Sequence, residues 1–128
     1  MSSLEVSTFG SIIALEYEAF TVDIQHCVFF KCKTTDARYA GGALYANLRY
    51  DAKVYITDTQ FIECKAPYGG ALLLVPQTNH NVVLNQLKFD KCMSENGGGG
   101  LQIQINNYGT LTMTGINIFN ECTAQDGS

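Results

Sequence analysis

The stretch FIECKAPYGGALLLV, residues 61–75, decides the fold because its pattern recurs along the chain. It places Phe-x-x-Cys a few residues before a Gly-Gly pair and a short apolar run. The same order returns in FFKCKTTDARYAGGALYA (residues 29–46), FDKCMSENGGGGLQI (residues 89–103) and FNECTAQDGS (residues 119–128). Four copies of one unit in 128 residues predict a single repeat domain over residues 1–128.

The spacing inside the unit is regular. Each glycine that opens an apolar strand precedes a cysteine by 22 residues, and these corner glycines are Gly10, Gly42, Gly70 and Gly100. Only the segment from a cysteine to the next glycine varies in length, which predicts repeats over approximately 10–41, 42–69, 70–99 and 100–128. A constant core with one variable loop is typical of a solenoid.

Each repeat reads as three short strands. GLQIQI, residues 100–105, alternates strictly between apolar and polar side chains, and VYIT, VVLN and TLTMT follow polar turns in repeats two to four. The fold class predicted is therefore all-β: a parallel β-helix of about four coils of 28–32 residues. The general preference of parallel crossovers makes it right-handed.

In this register the recurring phenylalanines and cysteines form two interior columns, which we treat as structural ladders. They are Phe29, Phe61, Phe89 and Phe119, and Cys32, Cys64, Cys92 and Cys122. Reduced thiols packed as small apolar groups are the favoured state. Disulfides between coils are the alternative, and a metal site is disfavoured because ligands in one column do not form a tetrahedron. The residues directly before these cysteines alternate in charge, which predicts attractive pairs between coils. They are Lys31, Glu63, Lys91 and Glu121.

The frame of Phe61, Cys64, Gly70, Ala71 and Leu72 resembles the repeats of polymorphic outer-membrane-type proteins, within the wider pectin-lyase-like class of right-handed parallel β-helices. The resemblance extends over nearly the whole chain, with cysteine where the bacterial repeats commonly have asparagine. It implies an extracellular or cell-surface module that adheres or scaffolds. It does not imply an active site.

An enzymatic function is not expected. Polysaccharide-cleaving β-helices need a pair of carboxylates on one outer face, and neither of the outward columns nine and two residues before the repeat cysteines stacks two acids. His26 and Cys27 are neighbours on a strand and should point to opposite faces. We therefore predict no catalytic residue, no metal ligand and no cofactor. A fragment of a polysaccharide-binding or polysaccharide-cleaving β-helix is the alternative function, and Thr-x-Thr motifs are too few for an ice-binding array.

An apolar outer face is predicted from the parity of the fourth repeat, with Ile12, Leu44, Leu72 and Leu74 as candidate interface residues. The loop over residues 33–41 adds Arg38 and Tyr39 as candidates for specific recognition. CTAQDGS, residues 122–128, matches the start of a further repeat, and no polar cap is recognisable at either end. Either the chain is an excerpt of a longer solenoid, or its ends are interfaces.

Taken together, the sequence predicts a non-enzymatic structural or adhesive module. The expected partners are further copies of the chain, arranged head to tail, or other protein chains, with a glycan as a further option. A net charge of −4 with scattered basic residues argues against a nucleic-acid partner. No apolar run is long enough for membrane insertion, and no targeting segment is recognisable at the N-terminus.

Overall fold

The computed structural model describes residues 2–5, 13–15, 21–34, 41–48, 52–76, 80–103 and 109–125. These residues form strands and connections, with no helix among them. No helix in these ranges is therefore long and apolar enough to cross a membrane. The strands are β1 (Ser2–Glu5), β2 (Ile13–Leu15), β3 (Thr21–Gln25), β4 (Cys27–Phe30), β5 (Leu44–Leu48), β6 (Ala52–Ile62), β7 (Lys65–Tyr68), β8 (Leu72–Pro76), β9 (His80–Asp90), β10 (Met93–Asn96), β11 (Leu101–Ile103), β12 (Gly109–Thr114), β13 (Ile118–Asn120) and β14 (Thr123–Ala124).

These strands form three sheets, and every pairing between described strands is parallel. The largest sheet runs β1-β4-β6-β9-β12, with β3 also paired to β6 and β13 also paired to β9. A second sheet runs β11-β8-β5-β2, and a third runs β14-β10-β7. Repeats two, three and four each add strands to the second, first and third sheets in that order. The all-β class predicted from the sequence is confirmed.

The register of the second and third repeats differs by one residue from that of the fourth. Leu44 pairs with Leu72 and Leu72 with Leu101, so Gly99 lies level with Gly70 and Gly42. Gly100 lies level with Ala71, whose amide donates to its carbonyl over 2.9 Å. The predicted corner position of Gly100 is therefore wrong: the corner glycine of the last repeat is Gly99.

The extra residue of the last repeat lies between β12 and β13. Thr114 pairs with Asn85, an offset of 29, whereas Ile118 pairs with Lys88, an offset of 30. Gly115 adopts a φ of +70° at this point. Glycine tolerates this conformation without a Cβ clash, so it accommodates the insertion.

The main hydrophobic core is formed by side chains of the first and second sheets together with the repeat cysteines. Val54 and Val82, Ile56 and Leu84, and Leu72 and Leu44 are paired neighbours that are all buried. β-Branched and large aliphatic residues favour such a pleated, enclosed surface. Cys32, Cys64 and Cys92 close the core at the corner between the first and third sheets.

Two columns of residues other than glycine adopt left-handed backbone conformations. Lys31, Glu63, Lys91 and Glu121, each directly before a repeat cysteine, have φ between 51° and 55°. A second column of His26, Asp58 and Gln86 has φ between 47° and 57°. A left-handed residue turns a strand sharply. The first column lies where β4, β6, β9 and β13 end at the cysteine corner, and the second lies within β6 and β9 and between β3 and β4.

Candidate functional site

The four phenylalanines of the repeat lie in one stacked column. Ring centroids are 5.1 Å apart for Phe29 and Phe61, 4.9 Å for Phe61 and Phe89, and 4.6 Å for Phe89 and Phe119. The interplanar angles are between 1° and 12°. Phe61 and Phe89 are fully buried, so the column holds successive repeats together through apolar contact.

The cysteines beside this column are free thiols. Each thiol from the second repeat onward points to the carbonyl of the preceding repeat's phenylalanine: Cys64 to Phe29 at 3.7 Å, and Cys92 to Phe61 at 3.3 Å. Cys122 does the same to Phe89 at 3.5 Å. These contacts link each repeat cysteine to the backbone of the phenylalanine in the preceding repeat.

The central thiol is held in its protonated form. Hydrogen bonds to Cys32 and Cys92, together with burial, raise the pKa of Cys64 far above its usual range. The hydrogen bonds to Cys64 lower the pKa of Cys32 and Cys92, whereas burial raises the pKa of Cys122. Because the thiolate is the nucleophile and the metal ligand, thiols kept neutral in this way are suited to packing.

The corner glycines have no room for a side chain. A Cβ on Gly42 would meet the carbonyl oxygens of Gly70, of Lys65 at 2.8 Å and of Cys32 at 2.9 Å. On Gly70 it would meet the carbonyl oxygen of Gly99. On Gly100 the nearest atoms are side-chain atoms of Phe89 and Phe119 at 3.3 Å, where the preceding repeats carry alanine. Gly10 lies outside the described residues.

The predicted apolar outer face is wrong for three of its residues. Leu44, Leu72 and Leu74 are fully buried in the core. Their neighbours Tyr45, Leu73 and Val75 instead pack together in a separate cluster outside the main core. The prediction took its parity from Gly100, and because side chains alternate with a period of two, a slip of one residue exchanges the faces.

The remaining candidate interface residues lie outside the described residues. These are Ile12, Arg38 and Tyr39. The structure pairs Ile13, rather than Ile12, with Leu44.

No constellation for covalent or metal chemistry forms among the described residues. No group of three or more potential ligands gathers there. His26 Nδ1 lies 2.7 Å from Asp58 Oδ2, and both side chains are more than half exposed. The Cys27 thiol donates to the Gln25 carbonyl at 3.2 Å and packs against the core, so the thiol is already engaged within its own strand.

The last repeat exposes side chains whose equivalents are buried. Phe119 is 49% exposed, whereas Phe89 beneath it is fully buried. Met113 is 42% exposed, whereas its partner Leu84 is fully buried. Cys122, Leu111, Leu101 and Ile103 are partly exposed as well. We call the exposed side of β11, β12, β13 and β14 the open end.

Four lysines gather at the cysteine corner. Lys31, Lys33, Lys65 and Lys91 line a cleft of about 290 Å³ together with Glu63. We call this the lysine cleft. The predicted attraction between the alternating charges is not realised within ion-pair distance: among the described residues no ion pair joins Lys31, Glu63, Lys91 and Glu121. Lys31 instead lies over the Phe30 ring, 5.2 Å from its centroid.

The lysine cleft was not predicted from the sequence, although the sequence contains a signal for it. A lysine stands on one or both sides of the repeat cysteine in the first three repeats, as KCK, CK and KC. Because these lysines stand next to equivalent cysteines in stacked repeats, they lie at one corner.

The comparisons with known proteins give no relative for this chain. No protein-family model matches it, and neither a curated protein nor a solved structure is detectably similar to it.

Proposed function

We propose that the chain is a right-handed parallel β-helix of about four coils that acts as a non-enzymatic structural module. The order of the strands supports the fold, because consecutive repeats enter the three sheets in the same sequence and pair in parallel. Right-handedness follows from the general preference of parallel crossovers. The stacked phenylalanines and free thiols give the module an interior with a packing role.

The open end is the surface through which we propose that the module functions. Phe119 and Met113 are both exposed on the open end, and among the described residues the open end is bordered by strand edges with no paired strand. Unpaired edges of this kind are templates for pairing with another chain. We infer that the module works by adding further coils to this end.

The occupant we propose is a second copy of the chain, arranged head to tail. The open end offers the edges of β11, β12 and β13, and the opposite side of the stack offers those of β1, β2 and β3. All of these strands pair in the same parallel sense, so the two sets of edges are compatible. A head-to-tail contact of this type is heterologous and propagates into a filament unless the rotation closes a ring.

Light scattering after size separation tests this proposal across a range of protein concentrations, with and without reductant. We expect a mass that rises with concentration and does not change with reductant, because the thiols are free and face the core. Met113→Lys should keep the protein monomeric, since it places a charge on the open end beside the strand edges. Tyr68→Ser is the matched control, because Tyr68 is exposed on β7, away from the open end.

Two results would contradict the proposal. A wild-type chain that stays monomeric at every concentration would show that the open end binds no second copy. An oligomer that persists in Met113→Lys, or that dissociates when reductant is added, would show that the contact lies elsewhere.

We also propose a location at the cell surface, which rests on the resemblance to polymorphic outer-membrane-type repeats. Protease added to intact cells should then digest the protein. Full protection of the protein until the cells are lysed would contradict this location.

A further inference from the structure

The lysine cleft concentrates positive charge in an acidic chain. The sequence contains six lysines and has a net charge of −4, and four of those lysines line this one cleft. Glu63 is the carboxylate within its lining, and Glu95 lines a smaller adjoining hollow of about 140 Å³ that shares Lys33 and Lys65. The two hollows together therefore have four cationic and two anionic side chains among their described lining residues.

The arrangement works against the stability of the fold. Lys33 and Lys65 are bridge partners on adjacent repeats, so two like charges lie directly opposite each other. Like charges in that position destabilise a sheet. Among the described residues no carboxylate lies within ion-pair distance of Lys31, Lys65 or Lys91. A bound anion would reduce this repulsion.

The spacing of the lysines indicates how many charges the ligand has. Strands in a stack are about 4.8 Å apart, so backbone positions on adjacent repeats, such as Lys33 and Lys65, are separated by about that distance. Lys31 and Lys91 are two repeats apart, at roughly 10 Å. One anionic group cannot contact both ends of such a row, whereas two or three linked groups can.

The chemistry of lysine indicates the type of group. A lysine ammonium is a compact point charge on a flexible stem, suited to phosphate or sulfate oxygens. Arginine binds carboxylate and phosphate groups in a two-point fashion, and none lines the cleft among the described residues, so the contacts here are those of point charges. A volume of about 290 Å³ lies at the lower limit of ordinary ligand pockets, which suits a small ligand.

We propose that the lysine cleft binds a small ligand that has two or more linked phosphate or sulfate groups. The ligand spans successive repeats along the cysteine corner, with its anionic groups between the lysines. This site lies at the corner and is separate from the open end, so it is compatible with an assembled or a monomeric chain.

Calorimetric titration of the full chain tests the proposal with two probes, inorganic tripolyphosphate and a sulfated hexasaccharide. At least one probe should bind saturably, and the tighter one identifies whether phosphate or sulfated sugar is the natural source. Lys65→Gln and Lys91→Gln should each raise Kd about threefold to fivefold, as expected for one exposed charge contact. Glu63→Gln should lower Kd, because it removes the negative charge from the cleft.

Lys53→Gln and Lys88→Gln are the matched controls. Both lysines are exposed and carry the same charge, but neither lines the cleft. They should leave Kd nearly unchanged, and thermal unfolding of every variant checks that the fold is retained. Absence of saturable binding by both probes would overturn the proposal. So would a loss of affinity that is the same in the control and cleft variants, because binding would then follow net charge alone.

Discussion

At the scale of single residues, the left-handed column before the cysteines is where sequence and backbone disagree. Glycine, asparagine and aspartate are the residues that adopt this conformation most readily, yet the chain has Lys31, Glu63, Lys91 and Glu121 there. Lysine and glutamate carry no sequence signal for a left-handed turn. The phenylalanines and cysteines were recognisable because they recur, whereas these turns became visible only in the backbone.

This conflict predicts that Lys91→Asn stabilises the protein by about 0.5–1 kcal/mol, because asparagine adopts a positive φ at lower cost. Lys88→Asn is the charge-matched control on the extended strand β9, and it should lower stability by up to about 0.5 kcal/mol, since asparagine is disfavoured in strands. Urea unfolding of both variants measures the difference. Equal effects at the two positions would contradict the backbone assignment.

The buried thiols predict a dependence of stability on pH. The pKa of Cys64 is raised in the folded protein by hydrogen bonding to Cys32 and Cys92 and by burial, whereas an unfolded thiol titrates near 8.5. Below about pH 8.5 both states are protonated and stability is complete. Above it, the unfolded chain releases a proton that Cys64 keeps in the folded chain, so stability falls by up to about 1.4 kcal/mol per pH unit for this thiol. The lowered pKa of Cys32 and of Cys92 acts in the opposite sense.

Urea unfolding between pH 7 and 10 measures this slope. Cys64→Ala should change the slope of this profile, because it removes the raised pKa of Cys64 and the hydrogen bonds that lower the pKa of Cys32 and Cys92. Parallel profiles for the two proteins would show that Cys64 ionises alike in the folded and unfolded states.

At the scale of strands, one error of register explains two predictions that were wrong. Placing Gly100 at the corner fixed the parity of the following strand, and that parity then turned Leu44, Leu72 and Leu74 outward. Four consecutive glycines at 97–100 have no side chains that could distinguish the two registers, and ALLLV at 71–75 is apolar on both faces. The three strands per repeat were predictable because their spacing recurs.

The corrected register makes Gly99 and Gly100 unequal. A Cβ on Gly99 would lie 2.5–2.7 Å from the backbone atoms of Thr123, so Gly99→Ala should destabilise the protein by about 2–3 kcal/mol. Gly100→Ala should change stability by less than about 1 kcal/mol, because the site is looser and alanine reduces the freedom of the unfolded chain. Thermal unfolding of the two variants measures this contrast. The reverse order would restore Gly100 to the corner.

At the scale of the whole molecule, the stack differs between its interior and its last repeat. Repeats two and three bury their columns completely, whereas the fourth leaves Phe119 and Met113 nearly half exposed. The repeat pattern predicted that coils stack, but it could not predict which level would remain exposed. That property depends on what lies above each repeat, and it becomes visible only through the accessibility of the side chains.

Hydrogen exchange followed by mass spectrometry, at low and at high protein concentration, tests the central claim most directly. We predict that protection rises with concentration in residues 109–125 and in the strands on the opposite side of the stack, because both sets of edges become paired. The interior strand β9 should be protected equally at both concentrations. Exchange that does not change with concentration, or protection that rises elsewhere, would contradict assembly through the open end.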